Sequence, residues 1–243
     1  MSFTPAPIAL VTGAGQRLGR AIAVAMAGAG YDIIVHYNSS EEGATETVER
    51  IAELGRDAIP IQGDLSDPQT TELFLEEAHA MHGQLDAVVN SAAVWRPRPL
   101  AEVTVEDWDL THAVNLRAPF FISVRAAEVL PPGGVIINIA DHLATESSPG
   151  LVPHSISKAG VIAMTQHLAR RFAPKIRVNA VSPGAVLPPA DWGAAAEERF
   201  VASTPLGRLG SPDDVTDAVL YLVRARFVTG VVIPVDGGRH LGR

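Results

Sequence analysis

Ile8-Ala9-Leu10-Val11-Thr12-Gly13-Ala14-Gly15-Gln16-Arg17-Leu18-Gly19 decides the fold. The first four residues are a short apolar run, which reads as a buried strand. The glycines that follow mark a tight turn, after which a helical pattern begins. Glycines at a strand-to-helix turn let the backbone approach a pyrophosphate. The helix start then offers unpaired N–H groups and the positive end of its dipole. The stretch therefore predicts a nucleotide site at the first strand of an α/β sheet, formed by Gly13, Arg17, Leu18 and Gly19.

Working outward, six more apolar runs read as strands: 33–36, 58–61, Ala87–Asn90, Val135–Ile139, 176–181 and 231–235. They are nearly continuous rather than alternating, as expected of strands covered on both faces. Helical patterns lie between them. In 41–54, Ala44, Val48 and Ile51 share a stripe, and Gly55 is a stop. Long helices are read over 105–130 and 154–172. Strand–helix alternation along the chain predicts a parallel, doubly wound sheet with helices on both faces, in one domain spanning 1–243. The stretch from Pro183 to Leu209, rich in proline, reads as a long substrate loop at about 184–209.

The chain has 243 residues, 19 Lys plus Arg against 27 Asp plus Glu, and no cysteine. Its net charge of −8 argues against nucleic acid as a partner, which needs a basic face. The absence of cysteine excludes disulfides, thiolate metal sites and a Cys nucleophile. The start has no basic leader and no apolar run is long enough to span a bilayer, so the expected location is the cytoplasm, away from membranes. No His or carboxylate spacing resembles a zinc motif, and no metal is expected.

The end of the second strand bears on the cofactor. A site specific for NAD usually places an acid there, to accept from the ribose 2′-OH. Here His36, Tyr37, Asn38, Ser39 and Ser40 precede the first acid, Glu41. Hydroxyls, an amide and an imidazole, with Arg17 near, suit a 2′-phosphate, so NADPH is expected. Ser40 also reads as the N-cap of the following helix.

With Thr12-Gly13 through Gly19, Asp64-Leu65, Asn90-Ser91-Ala92-Ala93, Asn115, Ser157-Lys158, Pro183-Gly184 and Asp236-Gly237-Gly238 in order, the sequence resembles the short-chain dehydrogenase/reductase family. The resemblance implies a seven-stranded Rossmann-type sheet and a homotetramer. It also implies that Asp64 and Leu65 meet the adenine, and that Asn90, Ser91 and Ala92 line the cofactor. Lys158 would bond the nicotinamide ribose, and Pro183 and Gly184 would border the nicotinamide. Arg17 stands where the family usually has Gly, Asp141 where it has Ser, and His154 where it has the catalytic Tyr. Arg17, Asp141 and an aromatic at Trp95 resemble the pteridine and dihydromonapterin reductases, a subgroup that keeps the Tyr. That resemblance implies a substrate site of Arg17, Ala93, Trp95, Asp141 and His154.

The chemistry can be argued from the residues. Asp141 follows the strand Val135–Ile139, at the ligand-binding edge of such sheets. His154 and Lys158 are four apart and share a helix face. Hydride addition to C=O or C=N leaves negative charge that an acid must quench. His154 can be that acid; Asp141 favours its charged form and Lys158 its neutral form. Asp141 acting alone is the other assignment. His142 is taken as a loop residue. Asn115 and Lys158 complete the expected catalytic set.

These readings make the protein an NADPH-dependent reductase of a planar, pterin-like heterocycle. A carbonyl reductase of the 3-oxoacyl carrier-protein type is the alternative, and a cofactor-binding protein that lost its acid is a third. The tail from Arg239 is expected to reach a neighbouring subunit and offer it Arg243.

Overall fold

A computed structural model of the chain describes residues 6–82, 85–146, 148–188 and 192–241. Seven parallel strands form one sheet in the order β3-β2-β1-β4-β5-β6-β7. They are β1 (Ile8–Val11), β2 (Asp32–Tyr37), β3 (Ala58–Gln62), β4 (Ala87–Asn90), β5 (Val135–Ile139), β6 (Arg177–Pro183) and β7 (Val232–Val235). All seven expected strands are present, with ends shifted by at most two residues at β6.

The strands alternate sides as pleating requires, but both sides are dry. Leu10, Val88 and Ile136 face one core. It is closed by α3 (Pro68–His82), α5 (Ala118–Val129) and α6 (Val152–Phe172), through Phe74, Ile122 and Met164. Val11, Val89 and Ile137 face the other core. There α1 (Arg17–Gly28), α2 (Glu41–Glu53) and α8 (Pro212–Arg224) contribute Ile22, Ile51 and Val219. Leu10 has no exposed surface, and truncating it to Ala would cost about 2–5 kcal/mol. The two remaining helices are α4 (Val105–His112) and α7 (Ala194–Ser203). No helix among the described residues is long and apolar enough to cross a membrane.

The long helix expected over 105–130 is present from 105 to 129, with a π turn, Ala113–Arg117, between α4 and α5. The structure corrects two expectations. The stretch 184–209 is no open loop, since it carries α7, although residues 189–191 lie outside the described ones. Ser40 occupies the N-cap position of α2, but its hydroxyl makes no capping bond.

The strand order reverses between β1 and β4, and the crevice beyond their carboxyl ends is where such sheets bind ligands. Thr12 and Ser91 flank it: Thr12 Oγ1 accepts from the Ser91 and Ala92 N–H groups at 2.9 and 3.0 Å.

Candidate active site

The glycine turn is held from below. Gly13 has φ +68°, and a Cβ there would lie 2.8 Å from the Ala92 Cα, so the segment following β4 approaches as only glycine allows. The Gly13 N–H donates to His36 Nδ1 at 3.0 Å, and His36 Nε2–H donates to Gly63 O at 3.0 Å. Burial lowers the His36 imidazole to about 4, with the Gly63 bond acting the other way. His36 is therefore a neutral buttress with both ring nitrogens engaged. Its side chain does not reach a 2′-phosphate, contrary to the sequence reading. Tyr37 is half-buried, and Asn38 and Ser39 are exposed at the mouth.

Above the turn, α1 begins without a side-chain cap or an acid in its first turn. By contrast α4 and α8 carry capping boxes, Thr104 with Asp107 and Ser211 with Asp214. The free N–H groups and glycine backbone fit a pyrophosphate. Two residues the sequence reading missed fix this cradle. Arg20 donates to Gly15 O and Gly43 O at 2.7 and 3.0 Å, and Thr47 Oγ1 donates to Ala14 O at 3.0 Å. Arg17 sits in the left-handed region, φ +51°, and its guanidinium reaches across to Leu187 O.

Not every residue assigned to the cofactor turns its side chain toward the crevice. Asn90 is buried and donates to Asn138 Oδ1 at 2.8 Å and Ser123 Oγ at 3.1 Å, so it joins β4 to β5 and α5. Leu65 is buried and Leu18 half-buried, while Asp64 is exposed and accepts from Ser66 N–H. Ser91 and Gly184 are half-buried; Ala93 is exposed and Pro183 is buried.

The expected catalytic residues converge. Asp141 Oδ2 and His154 Nε2 are 3.2 Å apart. Asn115 Nδ2 lies 3.3 Å from His154 Nδ1 and donates to Val94 O at 3.1 Å, while Asn115 Oδ1 accepts from Val94 N–H at 2.8 Å. Val94 O itself is 3.4 Å from His154 Nδ1. The neutral ring can accept from Asn115, and the protonated ring can donate to Val94, so His154 has a partner in either state. Trp95 sets its ring edgewise to His154, centroids 4.8 Å apart, and is 45% exposed.

Burial alone would raise the Asp141 carboxyl. Hydrogen bonds from His142 and His154, the His142 charge and the Leu143 N–H outweigh it and hold Asp141 well below the usual carboxylate range. Lys158 is buried and donates to Ile139 O at 2.7 Å. Burial pulls its ammonium down to about 8, against the pull of Asp141.

A family model described as enoyl-(acyl carrier protein) reductase matches residues 13–240. The chain belongs to the short-chain dehydrogenase/reductase family. It is 38% identical over 246 residues to an uncharacterized oxidoreductase of Methylorubrum extorquens, covering 98% of this chain and 99% of that one. It is 33% identical to the 3-oxoacyl-[acyl-carrier-protein] reductase of Staphylococcus aureus, covering 96% and 98%. Among solved structures, an angucycline C-6 ketoreductase with bound NADP superposes with a TM-score of 0.91 at 34% identity, covering 97% and 96%.

In this short-chain dehydrogenase a second imidazole joins the site. His142 Nδ1 lies 3.0 Å from Asp141 Oδ1 and 3.2 Å from Pro183 O. The Asp141-His142 dipeptide was the available signal, since a histidine beside a site carboxylate can only be placed once the turn is known. Arg239 grips Glu146 and stacks on Phe200, which ties the C-terminal segment to α7 within the same chain. Arg243, expected to serve a neighbour, lies outside the described residues.

Proposed function

We propose that this short-chain dehydrogenase is an NADPH-dependent carbonyl reductase acting on a ketone carried by a flat ring system. The observation that carries it is the 3.2 Å pair of Asp141 and His154 beside buried Lys158, at the carboxyl end of β5. The ketoreductase relatives support a carbonyl as the acceptor, and Trp95 supports a flat one.

Gly13, the open start of α1, Tyr37, Asn38, Ser39, Ser91 and Ala92 would hold the cofactor, which supplies hydride when bound. Lys158 would hold its nicotinamide ribose. His154, in the place of the family's Tyr, donates its Nε2 proton to the carbonyl oxygen as that oxygen gains negative charge. The C–O double bond becomes a single bond, and the ring is left neutral, its remaining hydrogen on Nδ1 toward the Val94 carbonyl. Asp141 stays ionised throughout and steadies the imidazolium. The pterin-like substrate remains the second reading, favoured by Trp95 beside His154 and by Arg17 at the cleft.

The test follows NADPH oxidation on fused-ring ketones, 3-oxoacyl thioesters and dihydropterins. Turnover confined to ketones supports the first reading, turnover of pterins alone supports the second, and none at all overturns both. We further propose a cytoplasmic homotetramer, supported by Phe120 and Phe121 on α5 and Ile156 on α6, large apolar side chains left at least 40% exposed.

A further inference from the structure

We propose that His142 is a positioning residue that locks one oxygen of Asp141, leaving the other for His154. The inference rests on the carbonyl-reductase reading and deepens it, because it decides which member of the pair gives up a proton.

Asp141 caps a short 3-10 turn, His142–Ala144, and its Oδ1 accepts from the Leu143 N–H at 2.8 Å. His142 Nδ1 is 3.0 Å from the same Oδ1 and 3.2 Å from Pro183 O. Both neighbours are acceptors, so Nδ1 carries a hydrogen. The other nitrogen, Nε2, is 3.7 Å from Glu146 Oε2. The imidazole thus stands between two carboxylates, on a turn leaving β5 and against the end of β6.

The ring has little room to turn. Its side chain is 10% exposed, and Phe200 of α7 meets it edge-on at 6.0 Å between centroids. Arg239 lies over that same Phe200 at 4.1 Å and grips Glu146 with Nε at 2.8 Å and Nη2 at 2.6 Å. The charged groups facing His142 are therefore Asp141 and Glu146. Behind Asp141 stand His154 and Lys158, and behind Glu146 stands Arg239.

The consequence is chemical. Oδ1 accepts from the Leu143 N–H and shares the single His142 Nδ1 hydrogen with Pro183 O, while Oδ2 faces His154. A carboxylate surrounded in this way accepts and does not donate. The transferable proton is the one on His154, and Asp141 works as its fixed counter-charge. The Pro183 carbonyl, on the strand that leads into the substrate segment, sets the angle of His142 and so the aim of Asp141.

The experiment compares wild type, His142→Ala and His142→Asn, whose amide can keep the bond to Oδ1 without the ring. His142→Leu replaces the Ala variant if that one does not fold. Two measurements are made: carboxyl ¹³C NMR titration of Asp141, assigned with Asp141→Asn, and the pH profile of kcat with 1-tetralone and NADPH. His142→Ala is expected to move the Asp141 titration, and with it the acid limb of kcat, upward by about one to two pH units. It should lower kcat by about tenfold with KM for NADPH unchanged, and His142→Asn should recover most of both losses. An unmoved titration in His142→Ala overturns the proposal, as does an Asn variant no better than Ala. The titration needs no turnover, so an inert ketone counts against the carbonyl reading while the carboxyl signal still judges His142.

Discussion

Asp141 Oδ2 and His154 Nε2 meet at 3.2 Å across thirteen residues of chain, joining the end of β5 to the first turns of α6. The meeting is made by the crossover itself. The strand stops at Ile139, the 3-10 turn folds Asp141 back, and α6 starts two residues before His154. Asn115 supports the ring from the other side, so the imidazole is fixed at both nitrogens.

Replacing His154 by Ala removes the proposed proton donor and is expected to lower kcat by about 10²–10⁴. NADPH affinity, measured by fluorescence titration, should stay within about twofold of wild type, because the glycine turn and Lys158 are untouched. If Asp141 were the acid, His154→Ala would keep its rate and Asp141→Asn would lose it.

Cofactor choice should respond to Tyr37→Asp. A carboxylate at the end of β2 repels a 2′-phosphate and accepts from a free 2′-OH. Wild type is expected to favour NADPH over NADH in kcat/KM by at least about tenfold, and the variant to favour NADH. Equal kcat/KM values for the two cofactors in wild type would remove the basis of this assignment.

His36 ties stability to pH. Its folded value of about 4 lies below the ordinary 6.5, so the unfolded chain takes up the proton first. The stabilisation is complete above pH 6.5 and is lost as pH falls through about 4. The full loss is about 3 kcal/mol. Urea unfolding at pH 7 and pH 4.5 measures most of it, and His36→Gln, which does not titrate, should show a smaller drop.

Lys158→Met tests what a buried ammonium costs. Burial opposes the charge, and the Asp141 carboxylate partly offsets that. Tm should therefore stay within about 3 °C of wild type, while kcat/KM falls steeply. A variant that unfolds would mean the ammonium is structural first.

The sheet was legible because its strands are β-branched runs between glycines and helical stripes, and all seven lie where those runs do. The site was legible at Asp141, His154 and Lys158, where strand end and helix spacing determine the direction. His36 was misjudged because a polar residue at a strand end reads the same whether it faces the crevice or lies under the turn. Nothing in the local sequence reports that the Gly13 N–H points back at it. Arg239 and Glu146 are 93 residues apart, and their pairing depends on where α7 lies. The α7 helix itself was hidden by the prolines before it. The π turn between α4 and α5 carries no proline or glycine within 113–117 to announce it.

That π turn separates fold from catalysis at the smallest genetic scale. A π turn holds one residue more than a regular helix needs over the same span. Deleting a single codon within 113–117 would let α4 run straight into α5 while the cores on both sides of the sheet stay filled. The amide of Asn115, which the extra residue turns toward His154 and Val94, would be lost with it. A lineage of this chain can therefore discard its chemistry in one step and keep its architecture.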